Sequence, residues 1–156
     1  MWKEKRVDSK PIPAEALEIL NDRPTGHLAT IRPDGLLSVN PVSVLFDGTH
    51  VQISTVTNRA KYKNMVADPR IAISIPHRNN PNFYLELRGR ALIEPDKDRS
   101  FIDRIAKTYL DKETYPFDPP GAERVVVTVL AEQISMRKVP LAKAPPGAPD
   151  PGEETR

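Results

Sequence analysis

The chain contains no cysteine, which excludes disulfides, thiol nucleophiles and thiolate metal sites. Aromatic residues make up only 6% and do not interleave with basic ones, so the stacking platform of a single-strand nucleic-acid binder is missing. Charge of one sign is missing too. Lys plus Arg is 23 against 21 Asp plus Glu, a net charge of +2, which argues against the nucleic-acid backbone as main partner. No apolar run approaches the roughly 20 residues of a membrane helix. The start, Met1-Trp2-Lys3-Glu4-Lys5-Arg6, lacks the apolar stretch of a signal peptide. A soluble, cytoplasmic protein is expected. There is no GxSxG elbow, P-loop or GxGxxG fingerprint, and His27, His50 and His77 show no i, i+4 metal pair. No metal site is expected.

What is present suits one ordinary domain: 156 residues, 38% apolar, no internal repeat. Five of the 17 prolines follow Val139, in a stretch with almost nothing to bury. A domain over 1–139 and an extended proline-rich tail over 140–156 are therefore expected. A first helix should run from about Pro13 to Asn21, prolines at its start and Leu17, Ile19 and Leu20 as its stripe. Short strands follow. His27–Ile31 leads through Asp34-Gly35 to a strand over Leu36–Leu45, in which Pro41 implies an edge, a bulge or an opening in the ladder. Asp47-Gly48 signals a hairpin into His50–Thr55, which alternates polar and apolar.

Thr57 or Asn58 should cap a helix whose buried face is Ala60, Met65, Val66 and Ala67, ended by Asp68-Pro69. Strands are expected at Ile71–Ile75, Phe83–Ile93 and Val125–Leu130, the last extended or followed by Glu132–Met136. Phe101, Ile102, Ile105, Ala106, Tyr109 and Leu110 mark an amphipathic helix, with Asp96, Asp98 and Asp103 read as its charged surface. About six hairpin-joined strands with few helices argue for a small antiparallel barrel.

One segment stands out chemically: Ser54-Thr55-Val56-Thr57-Asn58-Arg59-Ala60-Lys61-Tyr62-Lys63-Asn64. A hydroxyl-rich strand runs into a helix start that carries Arg59 and Lys61. Cations are disfavoured at the positive end of a helix, whereas a bound anion reverses the sign. Backbone N–H groups, two cations and several hydroxyls at one point suit a phosphate. The alternative is a solvated basic face. Ser38-Val39-Asn40-Pro41-Val42 is a second candidate, where an interrupted ladder would meet a planar ligand; the alternative is an edge strand that tolerates proline. No nucleophile or proton shuttle is evident, so an enzyme of this kind would borrow its chemistry from a cofactor.

In order along the chain, Gly26–Gly35, Ser38-Val39-Asn40-Pro41-Val42, Ile53–Lys61, Asn64–Arg70 and Leu87–Ala91 resemble the pyridoxamine-5′-phosphate-oxidase-like family. These are split β-barrels that bind FMN or the deazaflavin F420, and the actinobacterial F420-dependent branch looks nearest. The resemblance, over about 13–136, implies a mainly β fold: a six-stranded antiparallel Greek-key barrel with flanking helices, paired into a homodimer with cofactor clefts at the interface. By position it implies that Arg59, Ala60 and Lys61 grip the cofactor phosphate, helped by Ser54 and Thr55. It also implies that Asn40, Pro41 and Val42 line the ring system, and that Phe83 and Tyr84 close the cleft from the partner subunit. The family's vitamin B6 oxidases carry a C-terminal segment with tryptophan and an Arg-x-His grip; Trp2 is the only tryptophan here, which speaks against that activity. The resemblance thus implies an F420-dependent oxidoreductase acting on a small organic substrate. The alternatives are an FMN-dependent oxidase or flavin reductase, or a non-catalytic carrier of F420 or FMN.

Overall fold

The computed structural model describes residues 9–141. The tail expected over 140–156 lies outside the described residues beyond Leu141, as does Trp2. A 3-10 turn at Ala14–Ala16 leads into a short helix α1 (Leu17–Leu20). Then come strands β1 (Thr25–Ile31), β2 (Leu37–Ser43), β3 (Leu45–Phe46) and β4 (Val51–Val56), and helix α2 (Ala60–Ala67). Strands β5 (Arg70–His77) and β6 (Asn80–Pro95), helix α3 (Ser100–Leu110) and strand β7 (Arg124–Lys138) complete the order.

All seven strands join one antiparallel sheet in the order β2-β1-β5-β6-β7-β4-β3. The sheet curls until β2 approaches β4, giving a half-closed barrel with flanking helices. Strict alternation fills its interior: Ile71, Ile73 and Ile75 on β5, Phe83, Leu85 and Leu87 on β6, and Val125, Val127 and Val129 on β7 are buried. The phase shifts once. Opposite Arg88 and Gly89, β7 carries an extra residue, so its inward set passes from Ala131 to Ile134 and Met136. Gly89 permits this bulge, because a Cβ there would lie 1.8 Å from the Leu130 carbonyl oxygen.

The mainly β class holds, with seven strands among the described residues where six were expected. The run Leu36–Leu45 breaks at Val44. Its N–H donates to Tyr109 Oη at 3.1 Å, and that hydroxyl also lies 2.7 Å from the Val44 carbonyl and 2.6 Å from that of Pro24. Both backbone groups of Val44 thus serve a side chain of α3 rather than a ladder. The buried face of α2 also differs. Asn64 and Met65 are its buried residues, while Ala60, Val66 and Ala67 face outwards; Asn64 Nδ2 donates to Thr30 Oγ1 at 3.1 Å and ties α2 to β1. Helix α3 packs Phe101, Ile102 and Ile105 in a second cluster against Leu45, Tyr109, Tyr115 and Val126.

Asp96 is not a surface charge. It is 6% exposed, and its two oxygens accept the Phe101 and Ile102 N–H groups at 3.1 and 3.0 Å. These are first-turn donors that a helix cannot satisfy internally. Asp103 likewise accepts the Tyr115 N–H at 3.0 Å and fastens the segment after α3.

Candidate anion-binding cleft

A cleft of about 770 Å³ opens where β4 hands over to α2. Ser54, Thr55, Asn58, Arg59 and Lys61 line one side; Tyr115, Phe117, Asp118 and Arg124 line the other. Pairing of β4 with β7 sets Val56 opposite Arg124 and so places the start of β7 beside the start of α2. Pro119-Pro120-Gly121, with Gly121 at φ 82°, turns the chain so that Asp118 faces Arg124.

The start of α2 lacks a cap. Thr57 and Asn58 were expected to cap it, but Arg59 holds the N-cap position in extended backbone and no side chain accepts from the first-turn amides. Thr57 donates instead towards Glu123 Oε2 at 3.5 Å. Among the described residues, no ion pair involves Arg59 or Lys61. Burial of Lys61, and secondarily the neighbouring Arg59 charge, hold its ammonium pKa below the usual 10.5. Two cations are therefore gathered at the positive end of a helix with no ion-pair partner among the described residues.

The opposite wall is balanced. Arg124 donates through Nε and Nη2 to Asp118 at 2.8 and 2.6 Å, and through Nη1 to Ser54 Oγ at 3.3 Å. Arg99 Nη2 adds a bond to Asp118 at 3.0 Å. The Arg124 bond, with that of Arg99, holds the Asp118 carboxyl below the usual 3.8. Tyr115 lies under the Arg124 guanidinium, 4.8 Å from ring centre to carbon, and meets Phe117 edge-on at 5.6 Å.

The charged side chains that line the cleft are thus three cations and one carboxylate, and the two cations on the α2 side are unpaired. Phosphate fits this donor set: free amides, an ammonium, a guanidinium and the Ser54 hydroxyl line the cleft, Thr55 being on the buried side of β4, and an anion would supply the missing charge. Among the described residues no cluster of His, Asp and Glu has the make-up of a metal site.

The residues singled out in the sequence fall into three places. Ser54, Thr55, Arg59 and Lys61 line the cleft, and Ala60 stands exposed between the two cations. Asn40, Pro41 and Val42 lie on edge strand β2, where Pro41 opposes His27 and costs the sheet no interior bond. Phe83 is buried, stacked on His77 at 5.6 Å with Lys138 Nζ 4.8 Å above its ring; Tyr84 is half-buried beside it. Phe83 pairs with Lys138, at the end of β7 opposite from Arg124, so a single chain does not bring it to the cleft. Asp118, Arg124, Tyr115 and Phe117 were not singled out. The one local signal for them is the turn chemistry of Asp118-Pro119-Pro120-Gly121.

Fold and cleft together define a split-barrel protein with a cation-rich cleft where β4 meets α2. The family model of pyridoxamine 5′-phosphate oxidase matches residues 12–138, and the chain belongs to that family. Among solved structures, an F420 reductase from Mycobacterium is 34% identical, covering 80% of this chain and 98% of its own, with a TM-score of 0.69. A conserved hypothetical protein from Mycobacterium tuberculosis is 21% identical over 93% of this chain and 99% of its own, TM-score 0.67. General Stress Protein 26 of Bacillus anthracis is 17% identical over 78% and 94%, TM-score 0.58. The last two bear on the fold alone. A comparison with curated proteins found no match.

Proposed function

We propose that this chain is an oxidoreductase that seats the phosphate of F420 at Arg59 and Lys61 and works on a small organic substrate. The observation that carries the proposal is the unpaired Arg59–Lys61 pair beside uncapped amides at the start of α2. FMN offers the same phosphate. The 34% identity to an F420 reductase favours the deazaflavin. When bound in its reduced form, F420 would supply a hydride for reduction of an electron-poor C=C or C=N bond. The chain's own part is to anchor the phosphate, orient the ring and exclude water.

The proposal includes a homodimer. Leu37 and Val39 are 75% and 62% exposed on edge strand β2, side by side on one face, and a second copy would cover them. It would also supply Tyr84 to a cleft that one chain leaves open, next to a ring lined by Asn40, Pro41 and Val42; Phe83, expected beside it, is buried in its own chain.

Side-by-side titration of the purified chain with F420 and FMN tests the cofactor, and turnover of reduced F420 with electron-poor alkenes and imines tests the reaction. Tighter binding of F420 together with substrate-dependent oxidation is expected. Binding without turnover would assign a carrier, and preference for FMN would assign a flavin enzyme.

A further inference from the structure

We propose that Arg124 is a third ligand of the anion site, held by Asp118 in the empty cleft and yielded to an incoming phosphate. The proposal rests on the reading that Arg59 and Lys61 bind phosphate.

Asp118 presents two acceptor oxygens to one edge of a guanidinium, which is also how a phosphate engages arginine. The carboxylate therefore occupies the face of Arg124 that an anion in this cleft would use. Arg124 Nη1 already donates to Ser54 Oγ, the hydroxyl at the end of β4, so the guanidinium sits between its present partner and the anion corner. Its location needs no long reach, because Arg124 opposes Val56, three residues before Arg59.

The second arginine on Asp118 makes the exchange feasible. A side chain 8% exposed, such as that of Asp118, cannot lose its sole cation without a large desolvation cost. Arg99 bonds to the same carboxylate at 3.0 Å and does not line the cleft. When Arg124 turns to an anion, Arg99 still neutralises Asp118. Tyr115 lies under the guanidinium in the position the structure shows and supports its plane there.

A purely structural ion pair would tie the segment after α3 to β7, and losing either half would act in the same direction. A competitor for the ligand makes the two halves act oppositely. The test is titration of the full chain with F420 and FMN, read by cofactor fluorescence at fixed salt. Arg124→Gln should weaken binding about 10-fold, the scale of one charge-assisted hydrogen bond. Asp118→Asn should tighten it several-fold, and Asp118→Asn combined with Arg124→Gln should lose that gain. Arg99→Gln should weaken binding, because Asp118 then holds Arg124 alone. If Asp118→Asn does not fold, Arg99→Gln decides, and unchanged affinity overturns the proposal. Equal affinities for Asp118→Asn and the parent, or losses in both Asp118→Asn and Arg124→Gln, also overturn it. Lys61→Ala serves as the separate control. If it loses affinity while the Asp118 and Arg124 variants do not, the phosphate corner stands and only the gated arginine falls.

Discussion

Helices α2 and α3 begin in opposite ways within one small domain. The start of α3 is closed by a buried carboxylate, with Asp96 accepting two first-turn N–H groups. The start of α2 carries Arg59 and Lys61 and no capping side chain. The two starts are neighbours, since the Asp96 N–H donates to the Arg124 carbonyl at 3.0 Å and Arg124 lines the cleft at α2. Both face the same physical problem of free amides at a positive helix end. The chain answers it internally where only stability is at stake. At α2 no side chain answers it, and under the proposed function a bound phosphate would, at the cost of a less stable empty site.

The largest effect on stability should come from removing the internal answer. Asp96→Ala should destabilise the fold by roughly 2–3 kcal/mol, because two buried donors lose a charged acceptor. Denaturant unfolding measures it, and a loss below about 0.5 kcal/mol would mean that the α3 amides are satisfied in another way.

Next in size is a pH effect confined to α2. Lys61 must be charged to hold an anion, and its folded pKa lies below 10.5. Affinity for FMN or F420 should therefore fall as pH rises through that lowered value, and Lys61→Ala should flatten this limb. Titrations from neutral pH to about pH 10 provide the check. For stability the sign is reversed: the penalty of a charged, half-buried Lys61 is complete below its folded pKa and fades as pH rises towards 10.5.

On the balanced wall, Asp118 has a folded pKa below 3.8. Its contribution to stability is present above that value and is lost as pH falls through the lowered one. Acid unfolding of Asp118→Asn should accordingly be less steep than that of the parent. The smallest effect sharpens the comparison most: Lys61→Ala should leave the unliganded fold as stable as before or a few tenths of a kcal/mol more stable. A loss beyond 1 kcal/mol in thermal unfolding would make Lys61 a structural residue.

Much of the barrel was legible because its strands alternate with period two, as in Ile71-Ala72-Ile73-Ser74-Ile75. The unity of β7 was hidden by its bulge, where the inward set changes phase between Ala131 and Ile134 and imitates two strands. The break at Val44 was equally hidden, because its cause is a tyrosine on α3, 65 residues away. Arg59 and Lys61 were readable from local chemistry, a hydroxyl-rich strand entering a basic helix start. Asp118 and Arg124 were not, because their meaning lies in a pairing made by a turn and a sheet register. Asp96 was misread for a related reason: it lies before α3, and helical periodicity says nothing about which way such a residue points.

The contrast between the two helix starts is tested most directly by titrating F420 and FMN into the parent chain and Lys61→Ala, with unfolding measured on the same samples. Lys61→Ala should bind 10- to 150-fold more weakly, about 1.5–3 kcal/mol, with its unliganded stability held. Cofactor binding as tight as the parent's would contradict the account and leave the basic start of α2 an ordinary solvated surface.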